Sequence, residues 1–76
     1  MTDFENLKSS YIQTIQLAIV GGVSHDEAKR GNELLYHFCK QLIQCSGYRP
    51  QDQEEMCSQI DLVKQTLELE IEAAYH

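Results

Sequence analysis

The chain is expected to be all-α: three antiparallel amphipathic helices, arranged as a helical hairpin of the second and third plus an N-terminal helix. Three observations predict this. Apolar residues recur at steps of three and four through three separate segments, which places them on one face at 100° per residue. Glycine and proline cluster between those segments, at Gly21-Gly22 and at Gly47 to Pro50, with Gly31 alone inside one of them. Strict alternation over a β-branched run, the mark of a strand, is absent. With 76 residues there is room for a single domain, residues 1–76, with helices expected at about 3–20, 25–46 and 50–75.

The first helix is expected to start at Thr2, which forms a capping box with Glu5 three residues later. Phe4, Leu7, Tyr11, Ile15 and Ala18 then share a face. Gly21-Gly22 ends it, because glycine takes the left-handed conformation that closes a helix. Its last turns, Ile15 to Val20, are apolar nearly all round, so Leu17, Ile19 and Val20 are candidates for contact with a partner.

The second helix has the clearest start. Ser24-His25-Asp26-Glu27 is a capping box, with Val23 placed to pack on Ala28. Asp26 and Glu27 complement the helix dipole. Ala28, Leu35, Phe38 and Leu42 are read as the core face, flanked by Leu34, Cys39, Ile43 and Cys45, with Gly31 on the same side where another helix comes close. Ser46-Gly47 closes this helix. Pro50 suits the first position of the third, where its missing donor is not needed. Met56, Ile60, Val63, Leu67, Ile71 and Ala74 form the main stripe of the third helix. Measured from Ile60, Leu62, Leu69 and Ala73 fall at roughly 200°, 180° and 220°. They form a second, narrow apolar line opposite the core. A three-helix core needs one face of each helix, so Leu62, Leu69 and Ala73 are read as partner-binding or self-association residues.

Net charge is −6. Residues 1–50 carry five acids and five bases, whereas residues 51–76 carry seven acids against Lys64 alone. That balance argues against a basic nucleic-acid surface. It suits a solvated helix face or contact with a basic partner. No apolar run approaches the roughly 20 residues that span a bilayer, and MTDFENLKSS has neither the basic nor the apolar region of a signal peptide. Cys39, Cys45 and Cys57 are an odd number and are expected to be reduced thiols of a cytoplasmic protein.

Catalytic and metal signatures are missing. His25, His37 and His76 lack metal-ligand spacing, and no two cysteines are separated by two residues. His37 and Cys39, two apart on a helix, point roughly 200° from each other and cannot form a dyad. No glycine-rich phosphate loop is present. The chain is therefore expected to be no enzyme, with no cofactor and no metal, and to act by binding another protein.

From Ser24 to His76 the chain reads SHDEAKRGNELLYHFCKQLIQCSGYRPQDQEEMCSQIDLVKQTLELEIEAAYH. A capped helix, a polar turn with Pro50, a Gln/Glu-rich helix start and a final amphipathic helix follow in that order. This order resembles the YscE-like co-chaperones of type III secretion needle subunits. The resemblance implies that a helical hairpin with an additional N-terminal element pairs with a second, repeat-type chaperone. Together they would hold the needle subunit monomeric in the cytoplasm, with the apolar lines of the second and third helices facing the partner chaperone. Two other readings compete with a co-chaperone. One is a small acidic inhibitor or antiactivator that blocks an enzyme or regulator. The other is a self-associating structural homodimer with the second line of the third helix as its seam.

Overall fold

The computed structural model describes residues 3–75. Three helices, α1 (Asp3–Val20), α2 (His25–Cys45) and α3 (Pro50–Ala74), each pack against the other two, and among the described residues there is no strand. Contacts between residues far apart in sequence fix the directions. Lys8 and Gln16 of α1 reach Gln59 and Glu70 of α3, so these two helices run parallel. Asn32 of α2 meets Tyr11 of α1 and Lys64 of α3, while His25 meets Glu72, so α2 runs against both.

Local signals set the helix ends. Thr2, the expected cap of α1, lies outside the described residues. At the other end of α1, Gly22 adopts φ 83°, its N–H donates to Ile19 O and the Val23 N–H donates to Ala18 O. That is the paired bonding of a left-handed glycine stop. Ser24 caps α2: the Glu27 N–H donates to Ser24 Oγ at 3.1 Å and the Ser24 N–H donates to Glu27 Oε1 at 3.4 Å. Replacing such a cap costs about 1 kcal/mol. Gly47, at φ 76°, turns the chain into α3, which opens with Arg49 extended and Pro50 in the first turn.

The core comprises Phe4, Tyr11 and Ile15 from α1, Ala28, Cys39 and Ile43 from α2, and Ile60, Leu67 and Ile71 from α3. The stripes of α1 and α3 face inward as their periodicity predicts, except that Ala74 at the end of the α3 stripe is exposed. That of α2 does so only in part: Ala28 is buried and Leu35 is half-buried against the core. Phe38, expected in the core, is 54% exposed, and Leu34 and Leu42 are also exposed. The buried line is instead Ala28, Asn32, Cys39 and Ile43, rotated by roughly 60° from the expected face at 100° per residue.

A buried hydrogen-bonded junction explains the rotation. Asn32 is 1% exposed. Its Oδ1 accepts from the Tyr11 hydroxyl, its own carbonyl lies 3.1 Å from the same hydroxyl, and its Nδ2 donates to Lys64 O at 3.3 Å. One amide therefore joins all three helices. A buried amide without partners would cost several kcal/mol, so satisfying it fixes which side of α2 turns inward. Gly31 sits beside this junction. A methyl group there would meet Ile15 Cδ1 at 3.6 Å, an ordinary contact, so the approach of α1 does not demand glycine.

Candidate protein-binding surface

On the hairpin side, α2 and α3 are joined by charges. The Tyr36 hydroxyl donates to Asp61, and Lys40 Nζ lies 3.1 Å from that hydroxyl and 3.4 Å from Asp61 Oδ1. Lys64 Nζ bridges Glu33 at 3.1 Å and Glu68 at 3.5 Å, and lies 4.9 Å from the centre of the Tyr36 ring. At the open end of the hairpin, His25 Nε2 contacts Glu72 at 3.1 Å and its ring stacks on Tyr75, whose hydroxyl donates to Val23 O. Two of the clustered C-terminal acids, Glu68 and Glu72, thus have cationic or histidine partners inside the fold. Between the same two helices a groove of about 600 Å³ is lined by Asn32, Leu34 and Ile71 together with charged residues of both helices.

The seam makes stability depend on acid. Asp61 is held below the usual carboxylate value, first by the Tyr36 hydroxyl and then by Lys40, while Lys40 is held above its ordinary value by the same hydroxyl and by Asp61. A depressed folded value contributes stability above the unfolded value of about 3.9, and that contribution disappears as pH falls through the folded value. Asp61→Asn should therefore flatten the acid limb of the stability profile, read as urea midpoints at about pH 6 and about pH 2.5. The Asp61 side chain is 43% exposed, so the effect should be about 0.5 kcal/mol.

Between α1 and α3 the character changes. A groove of about 190 Å³ is lined by Ile12 of α1 and by Leu62, Val63, Thr66, Leu67 and Glu70 of α3. Leu62 is 63% exposed, and Leu69, 73% exposed, and Ala73, also exposed, continue its line along α3 outside the groove lining. Across the groove, Gln16 Nε2 lies 3.5 Å from Glu70 Oε1. Gln16 also lines a shallow depression on α1 with Gln13, Leu17 and Val20. Leu17 and Val20 are 70% and 84% exposed. The groove at Leu62 and the depression at Leu17 and Val20 are separate, and the Gln16–Glu70 contact joins α1 to α3 between a residue of each. Ile19 is the exception among the six candidates: it is half-buried against the core, because it lies only about 40° from Ile15 around α1.

Sequence reasoning missed one exposed apolar feature, the stripe Leu34, Phe38 and Leu42 on α2. Its signal was present: Tyr11 on the α1 core face needs an acceptor for its hydroxyl, and Asn32 is the amide in α2 that can meet it. Of the thiols, Cys39 is buried, with burial pushing it up, Cys57 is partly buried and Cys45 is exposed. His37 Nε2 lies 3.6 Å from Glu33, so both described histidines face carboxylates. Among the described residues no group of three His, Cys, Asp or Glu is placed to hold a metal, and no helix is long and apolar enough to cross a membrane.

The fold and surface define a three-helix bundle with a charged seam between α2 and α3, grooves between its helices and exposed apolar side chains on all three. No protein-family model, curated protein or solved structure matches the chain.

Proposed function

We propose that the protein is a non-catalytic binding module, a small cytoplasmic adaptor or co-chaperone that covers apolar surface on another protein. The observation that carries this reading is the exposed apolar line Leu62, Leu69 and Ala73 on α3, beginning at a groove that Leu62 lines, together with the exposed Leu17 and Val20 at the end of α1. Large apolar side chains at spacing of about two turns suit a helix laid into a groove. Glu70 at the groove favours a partner with basic residues beside its apolar anchors. The type III secretion role implied by the resemblance of residues 24–76 to YscE-like proteins is the specific form of this proposal. In that form the partner is a second chaperone bound together with a needle subunit.

Affinity capture from the native host tests it, with the wild-type chain and Leu62→Glu/Leu69→Glu as parallel baits. A protein recovered by the wild type at stoichiometric level and lost from the double variant supports the proposal. Equal recovery by both baits, or no stoichiometric partner for either, contradicts it.

A further inference from the structure

The groove between α2 and α3 holds charge that the fold does not neutralise. Asn32 and Ile71, each 1% exposed, form its floor. Lys29, Arg30 and the largely exposed Leu34 line its α2 side. The three carboxylates of the groove already have partners. Glu33 and Glu68 meet Lys64 Nζ at 3.1 and 3.5 Å, and Glu72 meets His25 at 3.1 Å. Its two lining cations do not. Lys8, Lys40, Arg49 and Lys64 are all ion-paired, whereas Lys29 and Arg30 have no ion pair among the described residues. Asp26 and Glu33 stand four residues from Arg30 and Lys29, the spacing at which helix pairs form, yet neither pair is made. In a chain of net charge −6, both unmatched cations thus lie at one groove.

We infer that this groove binds a small amphipathic carboxylic acid, with its carboxylate at Lys29 and Arg30 and its apolar body along Leu34. Charge selects the acid. An anionic head meets the charge that the groove leaves unmatched, whereas a cationic head would have to displace Lys64 or His25 from the carboxylates they hold. Size selects a small molecule over a helix. A volume of about 600 Å³ is that of a small-molecule site. The lining runs from Lys29 to Leu34 on α2, roughly 8 Å of helix, which is shorter than the two-turn anchor spacing of a docked helix. Exposed ion pairs contribute little by themselves, so head and tail are both needed for binding. The groove lies on a different side of α3 from Leu62 and Leu69, and the inference does not rest on the function proposed above.

Backbone amide shifts of the isotopically labelled chain, titrated with octanoate to about 10 mM, test the site. Saturable changes should concentrate at residues 29–34 and 68–72, with half-saturation at or below about 1 mM. Octylamine and octanol keep the tail without the anionic head, and acetate keeps the head without the tail. Each should bind at least tenfold more weakly than octanoate. Lys29→Gln/Arg30→Gln and, independently, Leu34→Gln should weaken octanoate binding at least tenfold. All three side chains are exposed, so both variants should keep the helical circular dichroism of the wild type. Four results would overturn the inference: no saturable change with octanoate; octylamine, octanol or acetate binding as tightly as octanoate; octanoate binding that survives either variant; or changes confined to the groove between α1 and α3.

Discussion

Asn32→Asp should unfold a large part of the population at pH 7 and recover near pH 3. The substitution is close to isosteric, so it removes almost no packing. It changes charge and hydrogen bonding at a position that is 1% exposed. The Tyr11 hydroxyl can still donate to the new carboxylate, which offsets part of the cost. The contact to Lys64 O reverses, because a carboxylate oxygen has no proton to give a carbonyl. Lys64, whose carbonyl Asn32 contacts, has its Nζ already held by Glu33 and Glu68. An unpaired buried charge costs about 3 kcal/mol or more. A domain of this length has only about 3–5 kcal/mol in total. The sign of the pH effect follows from the same burial. The folded value of the new carboxyl is raised above its unfolded value of about 3.9. Its penalty is therefore small below that value and grows as pH rises through it. Protonated, the carboxyl again offers a donor to Lys64 O and an acceptor to Tyr11. Urea midpoints of variant and wild type, compared at each pH, check this. A gap between the two proteins that is the same at pH 3 and pH 7 would show that Asn32 acts through shape and not through its hydrogen bonds.

Leu62→Glu/Leu69→Glu carries the largest expected effect on binding. Both side chains are mostly exposed in the free chain, and glutamate is a good helix former, so stability should change by no more than about 0.5 kcal/mol. In a complex the same positions would be desolvated. Truncating a central anchor costs about 2 kcal/mol or more, so loss of two should weaken binding by at least about 100-fold. Leu62→Gln/Leu69→Gln separates the causes. If lost apolar contact dominates, the glutamine variant weakens nearly as much as the glutamate variant, with little dependence on salt. If only the glutamate variant weakens, and salt restores it, the contact is electrostatic and the apolar line is not the anchor.

Much of this surface was legible in the sequence. Leu62, Leu69 and Ala73 could be placed opposite Ile60 by angle alone, because α3 is a regular helix whose core stripe is unambiguous. The helix ends at Gly22, Ser24 and Pro50 were legible for the same kind of reason: each signal acts within a few residues. The inward face of α2 was not. Its periodicity offered two overlapping lines, Leu35–Phe38–Leu42 and Cys39–Ile43, and hydrophobicity alone favoured the first. The decision was made by a polar residue, Asn32, whose burial depends on Tyr11 and on a main-chain carbonyl of α3. Partners twenty-one and thirty-two residues away are invisible to a local pattern. The same rotation exposes Phe38 and so creates the stripe on α2.

The proposed function requires a partner to touch the chain at a particular surface. Backbone amide shifts of the isotopically labelled protein, followed as the captured partner is added, measure this directly. Saturable changes should concentrate at Leu17, Val20, Leu62, Leu69 and Ala73 and along the groove between α1 and α3. Changes confined to the charged seam of α2 and α3, around Tyr36, Asp61 and Lys64, would contradict the account, as would the absence of any saturable change.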